Sequence, residues 1–279
     1  MIRIVTDSAA DFEPAEYQAL NVDCIPLTVM FGDAEYQENV NLTKDQFYGL
    51  IHETGEFPKT AQASPQILLD KIEDAKQCGD DIIYISLSSA LSGTYQSALM
   101  TKELADYDRS FVVDSRNATG GQRMIVEYAV KLRGEGKTAE EIVAAVEQLR
   151  SRIVLYACMD TLEYLYRGGR ISHTVYAIGS LAQIKPIIMV DQEGRVEVPA
   201  KAMGMRKGMD YLCKRLEQQK PDPAFPVYAM YTENRANGET LTKKMTALGT
   251  QVRDVLNVGA AIGSHIGPNA CGLVYVAAE

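Results

Sequence analysis

Asp81 to Ala98 reads D-I-I-Y-I-S-L-S-S-A-L-S-G-T-Y-Q-S-A, an apolar β-type run followed by a segment able to wind into a helix. Ser88, Ser89, Ser92, Gly93 and Thr94 crowd hydroxyls and backbone N–H groups into the turn between them. The first turn of a helix leaves N–H groups unpaired and carries a partial positive charge, which suits an anion. A lone serine there is an ordinary N-cap. A turn this rich in hydroxyls points instead to a bound phosphate or carboxylate. Other chemistry is thin. R-G-E-G-K-T at Arg133 ends like a phosphate-binding loop, but Lys131 stands where a glycine is required, and a charged helix rather than a strand precedes it. That stretch reads as a helix end followed by an N-cap at Thr138. The H-E-x-x-H, G-x-S-x-G, G-x-G-x-x-G and EF-hand patterns are absent. His52, His173 and His265 are far apart with no second His or Cys at ligand spacing, so no metal is expected.

The elements that must position the turn alternate. I-R-I-V-T from Ile2, C-I-P-L-T-V-M-F from Cys24, I-I-Y-I-S-L from Ile82 and S-F-V-V-D from Ser110 read as buried strands. Amphipathic stretches from Thr43, Pro65, Thr94, Thr119 and Thr138 lie between or after them, the pattern of a parallel sheet flanked by helices. In such sheets the binding crevice lies beyond the carboxyl ends of the strands. Asp7-Ser8, the Ser88 turn and Asp114-Ser115 are all expected there. The second half differs. An apolar helix at L-E-Y-L-Y-R ends in two glycines, and K-P-I-I-M-V-D-Q-E-G-R-V-E-V reads as two strands joined at Gln192 to Gly194. A helix from Gly204 and strands from Pro226, Gln251 and Gly272 follow, so a mixed sheet is expected. The predicted organisation is two α/β domains, 1–152 with a mainly parallel sheet and 153–279 with a mixed sheet and helices.

Composition bounds the partners. With 279 residues and a net charge of −9, the chain can build a substantial core and is a poor general ligand for nucleic acid. No apolar run approaches the ~18 residues that span a bilayer, so no stable membrane insertion is expected. The opening M-I-R-I-V-T reads as a strand rather than a leader peptide, and five scattered cysteines suggest reduced thiols. The expected compartment is the cytoplasm.

The chain resembles the DegV family of bacterial fatty-acid-binding proteins over essentially its whole length. V-T-D-S-A-A-D (Val5 to Asp11), P-K-T-A-Q-A-S-P (Pro58 to Pro65) and S-S-A-L-S-G-T-Y-Q-S-A are similar to family blocks. So are V-D-S-R-N-A-T-G-G (Val113 to Gly121), L-E-Y-L-Y-R-G-G-R-I (Leu162 to Ile171), I-K-P-I-I (Ile184 to Ile188) and I-G-S-H-I-G-P (Ile262 to Pro268), in the family's order. The resemblance implies a long-chain fatty acid buried between and within two domains, with no other cofactor and no catalytic residue. It implies that Thr60, Ser92 and His265 hold the carboxylate, with Arg170, Gly93 and Ser64 near the head group. It further implies a partner kinase that converts the bound acid to an acyl phosphate. Rival readings are a hydrolase or transferase with Ser92 as nucleophile and His265 as base, and a lipid-responsive regulator.

The physics is compatible with a lipid. Burying roughly fifteen methylenes at about 0.8 kcal/mol each is worth on the order of 12 kcal/mol before the costs of binding. Leu155 to Tyr166 and Val175 to Val190 supply the residue types of an apolar tunnel, or simply of a core. A carboxylate facing His265 in its glycine-broken turn should favour the imidazolium and raise its pKa above the usual ~6.5. The chain departs from the family pattern at T-A-Q-A-S, at Met203 and Met205 where arginines are frequent, and at Asn269 where glycine is usual.

Overall fold

The computed structural model describes residues 1–179 and 183–279. The chain opens with β1 (Ile2–Asp7), α1 (Pro14–Leu20) and β2 (Val22–Ile25), then β3 (Thr28–Phe31), β4 (Ala34–Gln37), α2 (Lys44–Thr54) and the short β5 (Lys59–Ala61). Next come α3 (Pro65–Cys78), β6 (Asp81–Ser86), α4 (Thr94–Ala105), β7 (Ser110–Asp114), α5 (Thr119–Gly134) and α6 (Ala139–Leu149). β8 (Ile153–Cys158), α7 (Glu163–Arg167), α8 (His173–Gly179), β9 (Ile184–Val190), β10 (Val196–Met203) and α9 (Met205–Gln218) follow. β11 (Tyr228–Tyr231), α10 (Arg235–Ala247), β12 (Asp254–Asn257), α11 (Ala260–Ile266) and β13 (Cys271–Val276) complete the chain.

The described residues form three sheets. β2-β1-β6-β7 is wholly parallel, as the alternating pattern predicts. β10-β9-β8-β13-β11-β12 is mixed, with only β11 and β12 parallel. A small antiparallel sheet, β4-β3-β5, was not expected. It arises because the run from Cys24 is two strands. Pro26 has no N–H to give a ladder and restricts the residue before it, so β2 stops at Ile25 and β3 starts in another sheet.

Local signals set the helix ends. Thr43 and Gln46 form a reciprocal capping box at α2, as do Thr138 and Glu141 at α6, so the G-K-T stretch is a helix junction. Packing is layered. α3 and α4 cover one face of the parallel sheet through Leu68, Ile72 and Ala98. On its other face Ile83, Ile85 and Val113 meet α5 and α6, and α5 in turn packs against Leu155, Met230 and Val274 of the mixed sheet. α9 and α10 cover the far face of that sheet through Leu212, Leu216 and Leu241. Each buried Leu, Ile, Val or Met among these contributes roughly 1.5–3 kcal/mol. This stacking brings the carboxyl ends of β1, β6 and β7 toward the mixed sheet.

Candidate functional site

The hydroxyl-rich turn after β6 is engaged mostly with the protein itself. Ser88 Oγ donates to Gly194 O at 2.8 Å, clasping the β9–β10 turn, and Arg116 Nη1 reaches Gln192 O there at 3.3 Å. Ser89 donates to Asp114 through N–H and Oγ. Thr94 Oγ1 accepts from Ala63 N at 3.3 Å, tying the turn to the T-A-Q-A-S loop. Asp7 and Ser8 also brace: the buried Asp7 carboxyl accepts from Leu87 N, Tyr84 Oη and Gln122 Nε2, and Ser8 Oγ accepts from Leu27 N. Ser92 is left on the cavity. Its hydroxyl lies 2.9 Å from Thr94 Oγ1 and accepts from Thr94 N at 3.2 Å.

Three further segments converge on Ser92. β5 pairs Thr60 with Val29 of β3, on the face where Val29 packs with Ala260 of α11. α11, rather than the glycine-broken turn expected, carries His265, whose Nε2 lies 2.8 Å from Thr60 Oγ1. After α7, Gly169 takes φ +73 and turns the chain so that Arg170 Nε donates to Leu91 O at 2.9 Å and Nη1 to Gly168 O. A β-carbon on Gly168 would collide with His265 Nδ1, so the first glycine of this pair makes room for the imidazole. Two adjacent glycines were the visible signal for that approach, although a helix stop alone would also account for them.

Thr60, Ser92, Arg170 and His265 line one end of a cavity enclosing about 890 Å³, its open mouth included. Arg170 is the only charged side chain among the described residues that line it. The floor is a row across the mixed sheet, Ile188–Ala157–Gly272–Met230, paired in register from β9 to β11. Ala and Gly at its centre leave a trough between Ile188 and Met230. Leu155, Leu165 and Val190 from the stretches expected to be apolar also face the cavity, whereas 180–182 lie outside the described residues. Two expected head-group residues do not line it. Gly93 caps α4 at the exposed rim, against Gln62 Oε1, and Ser64 faces a separate small pocket with Leu68 and Tyr84.

The expected rise in the His265 pKa belongs to a bound carboxylate, and the protein's own groups act in the other direction. Burial first, and the Arg170 guanidinium second, push its pKa down to about 3, so the imidazole is neutral. Its buried Nδ1 has no hydrogen-bond partner. A proton on Nε2, donated to Thr60 Oγ1, leaves only an acceptor unpaired, and this tautomer is assigned from that network. The Thr60 hydroxyl proton is then free to point at a ligand. No group of three His, Cys, Asp or Glu able to hold a metal occurs among the described residues, and no described helix is long and apolar enough to cross a membrane.

The family model described as "Uncharacterised protein, DegV family" matches residues 1–278. The chain belongs to the DegV family. A DegV domain-containing protein of Caldanaerobacter subterraneus subsp. tengcongensis is 34% identical over 98% of both chains. A solved structure concerned with fatty acid binding of a DegV family protein from Thermus thermophilus is 30% identical, covers 99% of both chains and superposes with a TM-score of 0.88. DegV from Bacillus subtilis, described as a fatty acid binding protein, is 26% identical over 99% of both chains with a TM-score of 0.86.

The departures from the DegV pattern have separate structural outcomes. Asn269 takes φ +61, the left-handed conformation that asparagine tolerates better than most residues, so the turn after α11 keeps a glycine-like backbone. Met205 packs into the core beside Cys271 Sγ, whereas Met203 is 60% exposed. Only Met203 therefore stands where a surface arginine would change the charge of an outer face.

Proposed function

We propose that this chain binds a long-chain fatty acid, with the acyl chain along the apolar cavity and the carboxylate at Thr60 and Ser92. On this reading the ligand lies where a unit of residues 1–152 meets one of residues 153–279. The observation that carries it is the polarity of one cavity: the Thr60 and Ser92 hydroxyls, the His265 imidazole and the Arg170 guanidinium gathered together, and a lining otherwise mostly of Leu, Ile, Val, Met and Ala with Thr119, Tyr231, Thr232 and Cys271 among them. Of the two threonines along that wall, Thr119 donates its hydroxyl to Met230 Sδ and Thr232 accepts from Ala270 N. A carboxylate is costly to bury without donors, and the polar end supplies them. His265 serves as a neutral group that orients the Thr60 hydroxyl, and Arg170 supplies positive charge while pinning the Ser92 loop through Leu91. The DegV proteins of Thermus thermophilus and Bacillus subtilis, described by their fatty acid binding, support the same ligand class.

A binding role fits better than a hydrolase. Ser92 Oγ contacts Thr94, and His265 Nε2 contacts Thr60, so no imidazole is set to take the serine proton. Exposed Ala61, Gln62 and Gly93 surround the head-group end, which leaves the carboxylate reachable from outside. That geometry suits presentation to a partner kinase in the cytoplasm. Such a kinase would move the γ-phosphoryl group of ATP onto a carboxylate oxygen, giving an acyl phosphate and ADP. Mass spectrometry of lipid extracted from the purified protein tests the core reading. A fatty acid near one per chain is expected, and a phosphorylated metabolite or no lipid would overturn it.

A further inference from the structure

At the opposite end of α11 from His265 sit two carboxyl groups that no role above employs. Asp11, just after β1, is 2% exposed, and Glu38, just after β4, is 1% exposed. Asp11 Oδ1 accepts from Gly259 N at 2.8 Å and Glu38 Oε1 accepts from Ala261 N at 3.1 Å, so the two acids hold the first amides of α11. A β-carbon on Gly259 would collide with Glu38 Oε1 and come within 2.7 Å of Asp11 Oδ1, which places both acids against one α-carbon. Their remaining oxygens, Asp11 Oδ2 and Glu38 Oε2, are buried without a hydrogen-bond partner.

The surroundings cannot neutralise two charges. Lys44 faces the pair from α2, but its Nζ also binds Glu13 Oε1 at 2.7 Å and Asp11 O at 3.1 Å. Arg123 faces it from α5 and is held by Glu16 and Glu127. Tyr17 of α1, Cys24 of β2 and Tyr48 of α2 complete the titratable shell, and burial pushes all three upward, so they stay neutral. Ser8 and Thr119 add only neutral hydroxyls to this shell. Two buried carboxylates this close do not both ionise readily.

We propose that Asp11 and Glu38 are positioning residues for the fatty-acid site: the pair shares one proton and, singly charged, holds α11 and with it His265 against the cavity. The inference rests on the fatty-acid reading above. His265 follows Ala261 by four residues, about 6 Å along a single rigid turn, so a displacement at the capped end reaches Thr60. Burial pushes both carboxyls up from their ordinary range, and the Asp11 charge pushes Glu38 further. For a group whose pKa is raised in the folded state, the stabilisation is complete at low pH and is lost as pH rises through the raised value. Deprotonating the pair therefore loosens α11 and weakens ligand binding as pH climbs through neutrality.

Palmitate affinity measured from about pH 6 to 8.5 tests this, in wild type, Glu38→Gln, Asp11→Asn and His265→Gln. Wild type should lose about tenfold over that range, and Glu38→Gln should stay within about twofold, with Asp11→Asn as the second reading should Glu38→Gln misfold. His265→Gln should bind more weakly yet keep the wild-type slope. In ¹³C-carboxyl NMR of the protein without added palmitate, a resonance titrating near neutral pH should vanish in Glu38→Gln. A flat wild-type profile, a slope that survives in both acid variants, or a slope abolished only in His265→Gln overturns the coupling alone. A wild type that binds no palmitate at any pH overturns the fatty-acid reading itself, and the coupling with it.

Discussion

Thr60 Oγ1 and His265 Nε2 lie 2.8 Å apart although 205 residues separate them in the chain. The contact joins the small antiparallel sheet to α11, and it fixes which way the threonine proton can point. With Nε2–H donating to the hydroxyl oxygen, the hydroxyl proton is left free for a ligand in the cavity that Thr60 lines.

Thr60→Val keeps the shape and removes that donor. Hydrogen bonds to charged groups are worth about 1.5–3 kcal/mol, so fatty-acid affinity should fall roughly tenfold or more. Ser92→Ala should have a comparable effect. Calorimetric titration of both variants with one fatty acid is the check, and unchanged affinity in both would remove them from the head-group site.

Ser92 should not behave as a nucleophile. Its hydroxyl neighbours Thr94 rather than an imidazole, so a chromogenic acyl ester should give no burst and leave no adduct. Intact-protein mass spectrometry after incubation decides this. A stoichiometric acyl-serine at Ser92 would favour the hydrolase reading.

Burial of His265 predicts acid sensitivity. Its pKa in the folded protein is about 3 against about 6.5 when exposed, so the folded state resists taking up that proton. The sign is that of a depressed pKa: full stability above pH 6.5, lost progressively as pH falls toward 3. By about pH 4.5 wild type should have lost up to about 2 kcal/mol through this group, allowing for its partial contact with solvent. His265→Gln should show a smaller loss between pH 7 and 4.5 in urea denaturation. Equal losses in the two proteins would mean that the imidazole takes up a proton freely in the fold.

Much of this was legible in the residues, for identifiable reasons. β6 and β7 announce themselves as apolar runs ended by Ser and Asp, and α2 and α6 by their capping boxes, all local signals. Thr60, Ser92, Arg170 and His265 reach one cavity, as the family blocks implied, but residue spacing alone could not have joined Thr60 to His265. β5 has only three residues and no apolar alternation, so its strand character comes from pairing with β3. α11 contains Gly263 and is flanked by Gly259 and Gly267, so local propensity reads it as a turn, whereas the buried acids at its start and the packing of Ala260 and Ala261 make it a helix. The downward pull of the protein's own groups on His265 was also out of reach, because it depends on burial and on Arg170, which lies 95 residues earlier and approaches only in the fold.

The trough across the mixed sheet gives a test that leaves the polar end untouched. Ala157 pairs with both Gly272 and Ile188, and its side chain faces the cavity while Tyr156 and Cys158 beside it pack on the opposite face with α9. Gly272 is unsuitable for enlargement, because a β-carbon there would come within 2.7 Å of the Tyr156 carbonyl oxygen and disturb the sheet itself. Ala157→Phe instead projects a ring into space that the acyl chain is proposed to fill. Overpacking a filled core typically costs 1–3 kcal/mol, whereas a ring entering a cavity gains contacts, so the variant should fold with a melting temperature close to wild type. Its affinity for a long-chain fatty acid should drop by at least about tenfold, since several methylenes at about 0.8 kcal/mol each lose their place. Thr60→Val should weaken short and long acids alike through the head group, while Ala157→Phe should act most on the long ones. Comparing both variants across a series of chain lengths separates the two ends of the cavity. A folded Ala157→Phe protein that binds long chains as tightly as wild type would mean that the acyl chain does not run over this row of the sheet.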